Sequence, residues 1–382
     1  MTNSNQQAVN PPSNKARLLS IDALRGFDMI WILGAEGLFA ALFLLTGWSV
    51  FSVLAEQMLH SQWHGITAYD IIFPLFIFLS GISLGLSAKP LAHYPQSQQF
   101  QLQLKASKRL VLLCLLGIVY NHGWGTGIPA AMDEIRYVSV LGRIAIAGFV
   151  ASLCVWYLSE KSQWLVAVAI LLGYWLLLRF VTIGDYGGGD YSSTGALNAW
   201  FDLHLLPGVR YQNLAIDPEG LLSNIPSIVN ALVGVFVGRY LKKHSAKPLF
   251  LLTRLTLFAI ILLAAGYTWH SFFPINKTLW SSSFVLVTLG YSVMALTLFY
   301  GLIDVLKWQN FARFFAVIGV NSIVVYLATS LIDWRYTTNS LFAGLLSNFS
   351  VAIQQFCLLV LMIFVQWLVL YWLYKRNIFI KV

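Results

Sequence analysis

Ten long apolar stretches dominate this 382-residue chain and decide what it can fold into. They run over roughly 23–46, 66–87, 109–124, 137–158, 164–182, 220–241, 248–270, 281–304, 312–332 and 351–374. A helix needs about 20 apolar residues to cross the hydrocarbon of a bilayer. Lipid offers no partner to open backbone groups, so each stretch is expected to be helical. The expected fold is all-α, a polytopic membrane helical bundle of about ten transmembrane helices. A polar tail over 1–19 precedes a single membrane-embedded domain over 20–382. With 10% charged and 58% apolar residues the chain lacks the polar surface of a soluble domain. The third stretch is short and runs into Gly123 to Gly127, where it stops within the membrane or is broken.

The net charge of +9 is read as basic loops, not as a nucleic-acid surface, because no basic block is interleaved with polar structure. Nucleic acid is therefore not an expected partner, whereas the lipid bilayer is. Basic residues gather on the cytoplasmic side of membrane proteins. With Lys15 and Arg17 inside, Lys89, Lys105, Lys108, Lys161, Lys242 and Lys243 all fall inside too. The acids Asp133, Asp185, Asp190, Asp202 and Asp217 fall outside. Both termini are thus expected in the cytoplasm, with the hydrophilic stretch 183–218 on the outer face. Cys114, Cys154 and Cys357 lie in apolar runs and read as small core residues, not as a disulfide framework or a metal site.

Ionisable groups inside apolar spans are costly and mark sites. Asp22, Arg25 and Asp28 recur every third residue at the start of the first span, and Arg25 suits an ion pair or an anionic ligand. Glu36 lies about 21 Å further along the same helix at 1.5 Å per residue. The densest cluster is His60-Ser61-Gln62-Trp63-His64-Gly65-Ile66-Thr67-Ala68-Tyr69-Asp70, ahead of a kink expected at Pro74. His60 and His64 would share a face if helical, but no HExxH motif or nearby cysteine supports a metal, and none is expected. Asn121 and His122 end the third span, and Arg143 is expected to face the bundle interior. Asp217 and Glu219 read either as caps of the sixth helix or as site residues. Asn321 and Ser322 interrupt the ninth span. No Walker motif or GxGxxG is present, which argues against an ATPase or a dinucleotide enzyme.

Five stretches, RLLSIDALRGFDM (17–29), HSQWHGITAYDIIFPLFIFLSG (60–81), VLGRIA (140–145), DPEGLLSNIPSIVNALVGVFVG (217–238) and GVNSIVVYL (319–327), stand in one order. Together they resemble the heparan-α-glucosaminide N-acetyltransferase family, including its bacterial members, within the transmembrane acyltransferases. The resemblance implies about ten core helices, acetyl-CoA as co-substrate, and a small amino sugar or glycan fragment as acceptor. It implies the inner membrane of a bacterium, with the acceptor on the periplasmic side. A homodimer is left open. The family's essential histidine falls on His60 and its acid on Asp70, whereas His64 stands where the pattern has Asn.

An amine is nucleophilic only when neutral, so a base with the titration range of imidazole suits the reaction. His60 is the expected base, with Asp70 orienting it or binding the ammonium; direct attack of the amine on the thioester and an acetyl-histidine intermediate are both open. Trp63, His64, Glu36, Asn121, Asp217, Glu219, Asn321 and Ser322 are the candidate substrate-binding residues, the last two and Asn121 also as oxyanion donors. Arg25, Arg109, Arg143, Arg239 and Arg313 are the candidates for the phosphates of acetyl-CoA. The rival readings are a secondary transporter with Glu36 and Asp70 as coupling carboxylates, and an acyltransferase acting on a glycan hydroxyl.

Overall fold

The computed structural model describes residues 18–125 and 131–380, so most of the tail over 1–19, with Lys15 and Arg17, lies outside the described residues, as do Thr126 and Gly127. Fifteen α-helices carry the described chain. In order they are α1 (Leu19–Ile32), α2 (Leu38–Thr46), α3 (Ser49–Gln57), α4 (Ile72–Ser87), α5 (Gln96–His122), α6 (Val140–Tyr157), α7 (Glu160–Phe180) and α8 (Leu197–Leu205). There follow α9 (Asn224–His244), α10 (Pro248–His270), α11 (Ser282–Tyr300), α12 (Gln309–Gly319), α13 (Ser322–Leu331), α14 (Trp334–Leu346) and α15 (Val351–Lys375). The all-α expectation holds, and the chain is a multi-pass membrane protein.

The count of spans differs from ten. Among the described residues seven helical segments are long and apolar enough to cross a membrane, or nine if each of two bent pairs is one span. The first expected stretch is one bent pair, turning by 65° between Ile32 and Ala35, where Gly34 takes a φ of 115°. Glu36 therefore sits in a short turn beyond the break and not on the helix of Asp22, as a continuous helix would have it. The ninth stretch is the other pair, bent by 55° at Val320 and Asn321. The third stretch is the end of α5, which starts earlier and runs unbroken to His122; its first half, QSQQFQLQLKASKR, is polar and keeps it out of the count.

Two further expectations change. Pro74 is the third residue of α4, so its missing N–H falls among those a first turn leaves unpaired, and it begins the helix without kinking it. The 183–218 stretch is built: Thr182–Ile183 pairs with Tyr186–Gly187, and α8 follows.

The centre of the bundle is the parallel crossing of α4 and α9. Gly81 and Gly85 face the backbone of Ala231 and Val235, while Gly234 and Gly238 face that of Phe78 and Ile82. In lipid, helix association depends on such close approach because no hydrophobic gain separates helix from tail. A Cβ on Gly81 would stand 2.0 Å from the carbonyl oxygen of Ala231, inside any real contact. Lys242 ties the far ends together, donating to the carbonyl of Leu86 at 3.0 Å. Gly81→Val is expected to lower the thermal unfolding midpoint in detergent, at a cost of at least about 1–3 kcal/mol. Gly173→Ala on α7, where an added methyl meets nothing within 4 Å, should not lower it.

Candidate functional site

The chain from His60 to Ala68 is not helical, and Asp70 sits in a single 3-10 turn over Tyr69–Ile71. After α3 the chain from Met58 to Ala68 is an irregular loop, closed on itself by Thr67 Oγ1 donating to the carbonyl of Leu59 at 2.6 Å. The i, i+4 spacing of His60 and His64 thus puts them on no common helix face. A second loop, between α10 and α11, is welded to the first. Gly65 N–H donates to the carbonyl of Ile275 at 2.8 Å, and Asn276 Nδ2 donates to that of Trp63 at 2.8 Å. Asn276 Oδ1 holds its own loop by accepting from Leu279 N–H at 2.8 Å.

Asp70 is the hub of this double loop and is fully buried. Its Oδ2 accepts from Ser61 N–H at 3.2 Å, Thr67 N–H at 3.2 Å and Thr67 Oγ1 at 3.1 Å. Its Oδ1 lies 2.8 Å from His60 Nδ1 and 3.3 Å from Lys277 Nζ. A contact that short between Nδ1 and a carboxylate oxygen needs a proton on Nδ1, which assigns His60 the tautomer with its lone pair on Nε2.

Lys277 was only a loop charge in the sequence, yet it completes the site. Its Nζ stands 2.9 Å from Nδ1 and 3.2 Å from Nε2 of His60. Nearly equal reach to two nitrogens on either side of Cε1 places the ammonium over the face of the ring. The in-plane lone pair of Nε2 is left free. Burial pushes Lys277 below the ordinary lysine value, and the carboxylates of Asp70 and Glu219 push it back. The one available signal was a lysine on the face that otherwise collects acids.

His60 and Lys277 open onto a cavity of about 210 Å³ lined also by Tyr69, Phe76, Tyr120, Glu219, Ser322 and Tyr326, with Met29, Ile32 and Ile144 as apolar wall. That volume falls below the roughly 300–1,000 Å³ of pockets enclosing drug-sized ligands, so it suits the reacting ends of larger molecules. Tyr120 and Tyr326 stack at 4.1 Å across it.

A carboxylate-rich cluster backs the cavity. Arg136 donates through Nε to Asp217 at 2.9 Å and through Nη2 to both Asp217, at 2.5 Å, and Glu219. Burial alone would lower the Arg136 guanidinium, but Asp217 and Glu219 raise it well above its usual value. Asp202 accepts from Asp217 N–H at 3.1 Å and Leu221 N–H at 2.9 Å, and burial lifts its carboxyl to about 6. Helix α9 starts only at Asn224, so Asp217 and Glu219 are not its caps.

Of the candidate site residues, the structure brings His60, Asp70, Glu219 and Ser322 to this cavity or its immediate support. Trp63 donates to the carbonyl of Tyr191 at 2.9 Å and anchors the outer loop. His64 faces Asn276 at 3.3 Å. Asn121 spends its amide on the carbonyls of Arg136 and Val138. Asn321 holds the C-terminal segment, donating to the carbonyl of Ile378 at 3.1 Å and accepting from Ile380 N–H at 3.0 Å. Glu36 lines a separate outer cleft with Trp124, Asp333 and Arg335.

None of Arg25, Arg109, Arg143, Arg239 and Arg313 lines the cavity. Arg143 faces the interior as expected, donating to the carbonyl of Pro218 at 2.8 Å and lying over the Trp280 ring at 4.4 Å. Arg239 meets Gln163 at 2.8 Å in a groove between α7, α9 and α10. Arg25 pairs with Asp22 at 3.4 Å and donates to Ser83 at 3.2 Å, bridging α1 to α4, two helices that wall the cavity. Arg109 lies on α5 and Arg313 on α12, both exposed. Among the described residues no group of three His, Cys, Asp or Glu side chains is placed to hold a metal ion.

Fold and site together define a multi-pass helical membrane protein with an Asp–His–Lys constellation at one end of a small, partly open cavity. No family model matches the chain. It is 28% identical over 383 aligned positions to the heparan-alpha-glucosaminide N-acetyltransferase of Homo sapiens, covering 85% of this chain and 55% of that protein. The protein of the same name from Mus musculus is 28% identical over 375 positions, with 85% and 56% covered. The family resemblance carried by the motifs is borne out: the chain is similar to the heparan-α-glucosaminide N-acetyltransferases over 85% of its length. It spans about half the length of the curated relatives it matches.

Burial, and then the neighbouring His270, push the His64 imidazole below its usual value of 6.5. The unfolded chain then takes up the proton first, so stability is lost as the pH falls below 6.5. His64→Asn removes that titration. Chemical denaturation of the two proteins from pH 7.5 to 5 should show a shallower acid loss for the variant.

Proposed function

We propose that this chain is an acetyl-CoA-dependent N-acetyltransferase that acylates the amine of a glucosamine-type amino sugar. The relatives' names specify N-acetyl transfer to a glucosaminide, and the observation that carries the reading is His60. Its Nδ1 proton is fixed by a buried carboxylate at 2.8 Å, and the ring borders a small, partly open cavity. A neutral imidazole so oriented takes a proton at Nε2, which is what an acceptor ammonium must give up before its nitrogen attacks a thioester. Asp70 is the positioning residue, fixing tautomer and ring plane. That first proton passes on to water; the nitrogen–carbon bond forms, the nitrogen gives its second proton to Nε2, the carbon–sulfur bond breaks, and the coenzyme leaves as thiolate and collects the second proton.

The basic residues at the ends of α4 and α9 support a cytoplasmic donor side, and the acidic loop 183–218 an outer, periplasmic acceptor side in a bacterial inner membrane. Arg25 is the phosphate partner best supported by position, because it bridges two helices of the cavity wall at the basic end. Arg143 is committed to the interior, and Arg239 belongs to a different groove.

His60→Ala should still bind acetyl-CoA and lose at least about a hundredfold in turnover, the usual scale for a general base. His64→Asn should keep substantial activity, since its ring does not border the cavity. Release of free CoA in the presence of glucosamine measures both. Full activity in His60→Ala with a dead His64→Asn would move the base to His64.

A further inference from the structure

Acyl transfer from a thioester passes through a tetrahedral intermediate whose oxygen bears a full negative charge, and a positioned donor for that charge is usually the largest catalytic contribution. Two of the three expected donors are not placed for it. Asn121 and Asn321 have their amides engaged with backbone carbonyls. Ser322 and the three tyrosines offer neutral hydroxyls. Lys277 is the one cation among the described residues that line the cavity.

We propose that Lys277 is the oxyanion-binding catalytic residue of the transfer. The inference rests on the acetyltransferase reading above and names a group that sequence did not reveal. The geometry is specific. Nζ lies over the face of His60 and 3.2 Å from Nε2, while the lone pair of Nε2 points away in the ring plane. An acceptor nitrogen delivering its proton to Nε2 brings the carbonyl it attacks alongside that atom. The carbonyl oxygen then falls within hydrogen-bond reach of Nζ.

The step balances. The nitrogen lone pair forms the N–C bond and the carbonyl π pair moves onto oxygen beside Lys277. The ammonium gives up one proton through Nε2 to water before attack, and the second proton leaves the nitrogen for Nε2 once the N–C bond has formed. Collapse restores the carbonyl, expels the thiolate, and returns the proton from His60 to sulfur. Lys277 enters and leaves as an ammonium.

Its position is fixed before any ligand arrives. Asp70 Oδ1 holds Nζ at 3.3 Å, and the Lys277 carbonyl accepts from Trp280 N–H at 3.0 Å, with Trp280 fully buried. One carboxylate oxygen thereby orients both the base and the electrophile. Being preset, the ammonium needs no reorganisation when charge develops.

The test compares wild type, Lys277→Met, Lys277→Arg and Lys277→Cys, using acetyl-CoA and glucosamine with CoA release as readout. Lys277→Met should lose on the order of 10²–10³ in kcat, the scale for one oxyanion donor. The acceptor KM and acetyl-CoA affinity should move less than about threefold, because the interaction arises only in the transition state. Lys277→Arg keeps a cation beside Asp70, should fold, and should retain more turnover than Lys277→Met. Treating Lys277→Cys with 2-bromoethylamine rebuilds an ammonium of near-lysine length and should restore at least tenfold, with treated wild type as control for Cys114, Cys154 and Cys357. A merely structural lysine would not be rescued in the folded protein. The inference is overturned if Lys277→Met keeps wild-type kcat, if its loss lies wholly in the acceptor KM, or if aminoethylation restores nothing. Wild-type protein that releases no CoA with any amino sugar overturns the acetyltransferase reading itself, whereas active wild type beside an equally active Lys277→Met overturns Lys277 alone.

Discussion

A carboxylate with no exposure at the rim of a membrane bundle has to be paired, and Asp70 organises the whole site by being paired completely. It gathers two backbone N–H groups, a threonine hydroxyl, an imidazole and an ammonium. Removing one partner of such a buried charge costs roughly 3–5 kcal/mol, so the loop of His60 and the loop of Lys277 are held in one arrangement. Two segments more than two hundred residues apart in sequence are thereby fixed to within hydrogen-bond distance. The rigidity that stabilises the fold is the same rigidity that presets the His60 imidazole.

Beneath that rim, the glycine crossing of α4 and α9 sets the depth of the cavity. Close backbone approach there draws α4 inward, so that Phe73 and Phe76 form cavity wall beneath a rim made by Tyr69 and His60. On the opposite side the break at Asn321 turns α13 by 55° and brings Ser322, Ile323 and Tyr326 to the cavity. Asn321 spends its own polar groups on the C-terminal backbone at that break. A residue that looked like a donor for the reaction is a clamp for the helix bend.

How much of this was legible follows from the range of each signal. Helical spans follow from local apolar runs, so the all-α bundle and most boundaries could be read directly. The breaks at Gly34 and Val320 shift those boundaries, because a bend depends on tertiary packing as well as on a glycine or an asparagine. His60 and Asp70 were readable because ten residues of chain hold both ends of one hydrogen bond. Lys277 was not, since nothing local distinguishes an ammonium held at Asp70 and His60 from any loop charge. Arg143 was rightly placed inside, yet its partners, Pro218 and the Trp280 ring, come from distant loops and exclude it from the cavity. Asp217 and Glu219 failed as caps because α9 starts only at Asn224, and their ion partner, Arg136, lies about eighty residues earlier.

The central claim is that this bundle passes an acyl group, and not a whole solute, between its two faces. The direct measurement uses oriented proteoliposomes with acetyl-CoA labelled in its acetyl group confined to the basic side and glucosamine confined to the other. The account predicts labelled N-acetylglucosamine on the acceptor side and one free CoA per product on the donor side. Unmodified glucosamine crossing to the donor side, with no CoA released, would contradict it.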